Sequence, residues 1–152
     1  MKKFFDIIWG GTIIVLAVIL ISFFALLFVP QIVNDAALPP FREEVIENLT
    51  LPEKSEMIEY VSGCGNTSGT GDHTELYVAV LIKSSLTLEE LKAYYARESN
   101  TYVHDCSGFE AMPVGMMAIN AEFETDIEKA EGYYILEYRK SAPLSWLDIR
   151  GM

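Results

Sequence analysis

The apolar positions divide the chain into two parts. Residues 7–29 carry no charged side chain and, apart from Thr12 and Ser22, are apolar or glycine. A helix over this range is about 35 Å long at ~1.5 Å per residue, which is enough to cross a hydrocarbon core of about 30 Å with some tilt. Beyond residue 30, apolar residues recur in short periodic segments, as in a folded domain. We therefore predict a transmembrane helix followed by a globular domain.

The periodic segments of the second part predict a mixture of helices and strands. The nearly continuous apolar run over 76–82 predicts a central strand covered on both faces. The strongest helix covers 87–98, where Thr87 and Glu90 have the spacing of a capping box. The other predicted elements are a helix over 40–49, strands over 57–61, 101–105, 116–123 and 133–138, a glycine-rich loop over 63–72 and a tail over 141–152. Hairpins dominate this order, so we predict an α+β fold with a mostly antiparallel sheet and a helix packed on one face.

Charge at the two ends of the apolar run sets the predicted topology. Lys2 and Lys3 precede the run, and basic residues remain on the cytoplasmic side of a span. We predict a cytoplasmic tail over 1–6, a transmembrane helix over 7–29, a stalk over 30–39 and an extracytoplasmic domain over 40–152. The protein would then cross the cell membrane once, with its C-terminal domain outside.

A cleaved signal peptide is the alternative interpretation of the same run. Signal peptides have apolar regions of about 7–15 residues and a cleavage site flanked by small residues. This run is longer, and residues 33–37 place Asn34 or Asp35 where a small residue is needed. We therefore predict a retained anchor.

Composition narrows the range of partners. Of 11 Lys and Arg and 22 Asp and Glu residues, only Lys2, Lys3 and Asp6 precede the span, so the domain is strongly acidic. Such a surface repels nucleic acid. The predicted partners are the lipid bilayer through 7–29 and an unknown protein or small ligand, with no nucleic acid.

The two cysteines of the chain, Cys64 and Cys106, both lie in the part predicted to be exported. In an oxidising compartment such a pair predicts a disulfide, which would close a long loop and stabilise the domain by about 4 kcal/mol. Two free thiols are the alternative.

Two histidines with acidic neighbours form a hypothetical composite site. His73 follows Asp72 in the glycine-rich loop, and His104 precedes Asp105 at the end of a predicted strand. A Cys64–Cys106 bridge would bring these segments together. The candidate ligand-binding residues are Asn66, Asp72, His73, His104 and Asp105. Two histidines with carboxylates could hold a divalent metal, but no fixed metal-binding spacing is present, so no cofactor is predicted and surface histidines with unrelated roles remain an alternative.

Part of the domain resembles a known group of proteins. The stretch Cys64–Tyr95 has a Gly/Asn-rich loop, a strand ending in Ile82-Lys83-Ser84, the segment Leu86-Thr87-Leu88-Glu89-Glu90-Leu91 and a Tyr-Tyr pair. It is similar to uncharacterised small single-pass membrane-anchored proteins of Gram-positive bacteria, some of which end like Leu147-Asp148-Ile149-Arg150-Gly151. The resemblance covers under half of the chain. It implies a bacterial cell-surface setting and no activity.

Three functional hypotheses follow. The sequence favours a non-enzymatic, membrane-tethered binding or interaction domain at the cell envelope, because no reaction motif is present. The competing class is a metal-dependent or hydrolytic enzyme that uses His73, His104 and nearby carboxylates. The third is a structural subunit of a membrane complex.

Overall fold

The structure is a computed structural model that describes residues 2–68, 73–96, 101–106, 113–119, 121–127 and 131–151, without the side chains of 2–8, 10 and 114. Its elements in chain order are α1 (Lys2–Asn48), β1 (Ser55–Gly65), β2 (Glu75–Ser84), α2 (Leu88–Tyr95), β3 (Thr101–Asp105), α3 (Val114–Ala118), β4 (Tyr133–Ser141) and two short 3-10 turns, Ser145–Leu147 and Ile149–Gly151. The four strands form one sheet in the order β1-β2-β4-β3, and every neighbouring pair is antiparallel. The α+β fold class is therefore confirmed.

The sheet is covered on both faces, and its side chains alternate between them. Leu91 and Tyr95 of α2 pack on the first face together with the C-terminal part of α1. On the second face, Met116 of α3 and the segment after it cover β2 and β4. The side chains of β2 are buried on both faces over most of the strand, as predicted for 76–82. The predicted capping box of α2 is also present.

One predicted strand, 116–123, is wrong. Part of this range belongs to α3, which begins after Pro113 and lies against the ring of Tyr77. A Cβ on Gly115 would come within 2.2 Å of that ring, so glycine is what allows the helix backbone to approach so closely. The loop predicted over 63–72 also begins later than expected, because β1 continues to Gly65.

The predicted stalk over 30–39 is helical. Helix α1 continues from the apolar run through Pro30, Pro39 and Pro40 to Asn48. Proline in a helix interior removes a hydrogen bond and costs roughly 3 kcal/mol in an isolated helix. Here the helix gains compensating contacts with the domain, since Phe41 and Val45 are buried in the core. The segment between the apolar run and the domain is thus a stiff connection.

The first part of α1 makes few contacts with the domain. Its large apolar side chains from Ile13 to Val29 are mostly exposed. Among the described residues, α1 is the one helix whose length and composition would allow it to cross a membrane. That property is compatible with a membrane anchor.

Asn34 marks the point where α1 meets the domain. Its side chain is 0% exposed. Its Nδ2 donates to the Asp148 carboxylate at 2.8 Å, and its Oδ1 accepts from the Leu144 backbone N–H at 2.8 Å. One helical side chain therefore fastens the C-terminal segment of the domain to α1.

Arg150 makes a second connection at the same place. Its guanidinium lies 2.7 Å from Asp35 on α1 and 2.7 Å from Asp148, and it also reaches the Gln31 carbonyl at 3.4 Å. Burial would raise the pKa of Asp148, but the hydrogen bonds from Arg150 and Asn34 outweigh it and hold this pKa below its usual range. Asn34, Asp35, Asp148 and Arg150 are hereafter the helix–domain junction.

We predict that Asn34→Ala lowers the free energy of unfolding by about 1–3 kcal/mol, because a buried backbone N–H and a buried carboxylate each lose a partner. The matched control is Asn48→Ala on the same helix, whose side chain makes only an exposed bond to the Glu44 carbonyl. Its effect should stay within about 0.5 kcal/mol. Denaturant unfolding of the full chain in detergent measures both. Equal effects of the two substitutions would contradict a specific role for Asn34.

Candidate functional site

Side chains alternate between the two faces of each strand. On the second face of the sheet, three strands bring charged and aromatic side chains together. Glu137 and Arg139 of β4 share this face with Ile135 of the buried cluster. On β3, Tyr102 lies opposite Glu137 and His104 opposite Ile135. Successive side chains of a strand point to opposite faces, so residues two apart stay together. The result is a polar region at the end of an otherwise apolar layer.

Glu137 lies at the centre of this region and is 1% exposed. One carboxylate oxygen lies 2.9 Å from His104 Nε2, and the other accepts from Arg139 Nε. Burial would raise the pKa of Glu137, but the hydrogen bonds from His104 and Arg139 and their charges outweigh it and hold this pKa below its usual range. Glu137 is therefore an ionised carboxylate inside the protein.

Arg139 links this carboxylate to a second one. Its Nη1 donates to the Thr67 carbonyl at 3.0 Å and lies 3.8 Å from Glu75, and its guanidinium carbon is 5.8 Å from the centre of the Tyr77 ring. Glu75 also accepts from the Thr67 hydroxyl. The guanidinium thus pairs with two carboxylates on neighbouring strands while it packs on an aromatic face.

The two predicted histidines belong to the same arrangement, at its opposite ends. His73 Nε2 lies 3.5 Å from Glu75, and His104 contacts Glu137. We call the series His73–Glu75–Arg139–Glu137–His104 the carboxylate network. Its two histidines are attached to different carboxylates with an arginine between them. The ligands of a single metal ion would instead converge on one point.

The other predicted site residues have different positions. Asn66 lies at the margin of the site, where its side-chain oxygen accepts from Ser68 at 3.3 Å. Asp105 is on the opposite face of β3 from His104, and its charge contributes to a raised pKa of Tyr134, which burial raises most. Asp72 lies outside the described residues.

The predicted disulfide between Cys64 and Cys106 is wrong, since both cysteines are free. Cys64 is on the edge strand β1 and packs on the first face, whereas Cys106 follows the other edge strand and packs on the second face. Two strands lie between them at roughly 4.8 Å per step, far beyond the ~4.4–6.8 Å between the Cα atoms of a disulfide. Burial raises the pKa of Cys64 to about 11 and that of Cys106 to about 12, so both are protonated thiols at neutral pH.

Among the described residues, no group of three or more His, Cys, Asp and Glu side chains could hold a metal ion. Glu75 and Glu137 would be natural ligands of a divalent cation, but Arg139 already supplies the positive charge between them. The described part of the network is therefore arranged around a guanidinium.

An open cleft of about 670 Å³ lies beside the network. Its lining combines the network with neighbouring exposed side chains: Ser68, Glu75, Tyr102, His104, Glu137, Arg139, Lys140 and Ser141. Sequence reasoning identified His104 but missed Glu75, Glu137 and Arg139. The sequence does point to Glu137, because it is a charged residue within the otherwise apolar strand predicted over 133–138.

Comparisons with known proteins add no relative from which a function could be transferred. No protein-family model, curated protein or solved structure matches this chain.

We predict that Glu137→Gln removes stability near neutral pH and that its effect shrinks in acid. The pKa of Glu137 is lower in the folded state than in the unfolded chain, so the carboxylate stabilises the fold above the unfolded pKa of about 4.3 and loses this contribution as pH falls through the folded value. Thermal unfolding of the full chain in detergent between pH 7 and pH 3 measures the difference. Glu56→Gln, at an exposed carboxylate, is the control. A difference between wild type and Glu137→Gln that grows on acidification would contradict the assignment.

Proposed function

We propose that this protein is a single-pass membrane protein whose extracytoplasmic domain binds a small carboxylate-bearing ligand, such as the C-terminus of a peptide, at the cell envelope. The observation that carries this proposal is the state of the groups around the cleft. Arg139 contacts both carboxylates of the network, and among the described residues its Nη2 has no acceptor.

Several features support a retained anchor. Helix α1 is apolar and exposed over the predicted span, and further along it carries Asn34 into the interior of the domain. Lys2 and Lys3 favour a cytoplasmic N-terminus. The resemblance to membrane-anchored proteins of Gram-positive bacteria agrees with a cell-surface setting.

The hydrogen-bonding capacity of the cleft favours a ligand that accepts hydrogen bonds. One oxygen of Glu137 accepts from Arg139 Nε and the other lies 2.9 Å from His104 Nε2, while Glu75 lies against Thr67, Arg139 and His73. Arg139 uses Nε and Nη1, and among the described residues its Nη2 has no acceptor. A carboxylate is the group that matches a planar guanidinium best.

Tyr102 completes the recognition surface. Lys140 points to the other face of the sheet, where its ammonium lies 3.2 Å from Glu44 and 5.5 Å from the centre of the Phe41 ring. Tyr102 is exposed beside Glu137 and offers an aromatic surface for the body of the ligand. The acidic domain repels anions at long range, so recognition must depend on the short-range donors of Arg139.

The test compares short peptides that have a free C-terminal carboxylate with the same peptides as C-terminal amides. We expect the full chain in detergent to bind free acids and not amides, measured by isothermal titration calorimetry. Arg139→Lys should weaken binding about tenfold or more, because the ammonium keeps the charge but loses the planar pair of donors that a carboxylate accepts, and a charge-assisted hydrogen bond is worth about 1.5–3 kcal/mol. The matched control is Arg42→Lys on α1, outside the cleft lining.

Other outcomes would contradict the proposal. Equal binding of the free acids and the amides would show that the domain does not recognise the C-terminal carboxylate of the peptide. Cleavage of the peptides that is lost in His104→Ala would instead support the hydrolytic alternative, in which the Glu137-bound imidazole acts as a base. Complete absence of binding to any free acid would refute this ligand class.

A further inference from the structure

The helix–domain junction fixes the height of the domain above the membrane. Trp9 near the start of the apolar run suits the headgroup level of one leaflet. A helix needs about 20 residues to cross a hydrocarbon core of about 30 Å, which places the other edge of the core near Val29. Asn34 is then only about 7.5 Å beyond that edge at 1.5 Å per residue. This distance is comparable to the thickness of one headgroup layer, about 5–7 Å.

The C-terminal segment of the domain lies at this height. Arg150 reaches the Gln31 carbonyl, about 3 Å above the core edge near Val29. Leu144 and Asp148 are both hydrogen-bonded to Asn34, one helical turn further out. Residues 144–150 are therefore held against α1 within the headgroup layer of the leaflet that α1 leaves.

Large apolar side chains are exposed in this segment. Trp146, between the two residues that contact Asn34, is 71% exposed, and Ile149, beside Arg150, is 44% exposed. On α1 itself, Ile32 is 66% exposed in the same layer. An exposed tryptophan is unfavourable in water, whereas the membrane interface solvates both its ring and its N–H.

We propose that Trp146, Ile149 and Ile32 form a membrane-docking lip, inserted into the headgroup layer of the bilayer that α1 spans. The inference rests on the proposed membrane anchor and adds a second contact with the bilayer, which would restrict the tilting of the domain relative to the membrane surface. Continuity with the span identifies the bilayer as the partner. The nearby carboxylates Asp35 and Asp148 exclude attraction to anionic lipid as the driving force, so docking depends on the apolar side chains.

The two tryptophans of the chain allow a direct test. Trp9→Phe leaves Trp146 as the only tryptophan, and Trp146→Phe leaves Trp9. Each variant of the full chain is reconstituted into vesicles of zwitterionic phosphatidylcholine with or without brominated acyl chains. We expect bromolipid to reduce Trp146 emission to an extent similar to that of Trp9, and Trp146 to be protected from aqueous acrylamide. Adding anionic lipid should change neither result.

The outcomes separate the lip from the anchor. Quenching of Trp9 with an unquenched, acrylamide-accessible Trp146 would overturn the lip and leave the anchor intact. Absence of bromolipid quenching at both positions would overturn the anchor and the lip together. A third variant, Trp146→Phe with Ile149→Ser, keeps the anchor and should increase the rotational mobility of a fluorophore attached to the domain. Unchanged mobility would also contradict the lip.

Discussion

Asn34 is completely buried on a helix whose apolar side chains from Ile13 to Val29 are mostly exposed, and this contrast connects the two halves of the molecule. A buried amide has to find partners for its donors and its acceptor, and Asp148 and Leu144 supply them. The helix cannot rotate without breaking these bonds, and three prolines do not interrupt it because the domain supports it from one side. The orientation of the sheet relative to the apolar run follows from this one contact.

The carboxylate network depends on the same rigidity. The N–H of Thr74, next to Glu75, donates to the Ser145 carbonyl, and the Ala142 N–H donates to the Thr74 carbonyl. The segment that fastens α1 thus also fixes the beginning of β2. A buried, ionised Glu137 is tolerated because His104 and Arg139 compensate its desolvation, and such compensation requires fixed geometry. The cleft is therefore a preorganised surface held at a defined distance from the apolar helix.

Sequence patterns predicted the apolar helix, the central strand, the capping box and the α+β class, because each depends on local periodicity. The helical structure of residues 30–39 was missed for a physical reason. The buried positions 30, 34, 41 and 45 of α1 follow a helical stripe, but Pro30 and Asn34 are residues that hydrophobic periodicity does not count. The disulfide prediction failed because it rested on the number of cysteines and on the predicted oxidising compartment. Whether two cysteines can meet depends instead on the order of the strands in the sheet. The histidines were predicted beside Asp72 and Asp105, whereas the structure pairs them with Glu75 and Glu137, which come together with Arg139 only through strand register.

The central claim is that residues 30–40 are a helix fastened to the domain, so that the apolar helix and the domain move as one body. Hydrogen exchange of the full chain in lipid nanodiscs, followed by mass spectrometry, tests it most directly. The account predicts that the amides of residues 31–38 exchange as slowly as those of the core strand β2, because the junction opens only when the domain unfolds. Rapid exchange over 31–38 beside a protected β2 would show a flexible connection and contradict the account.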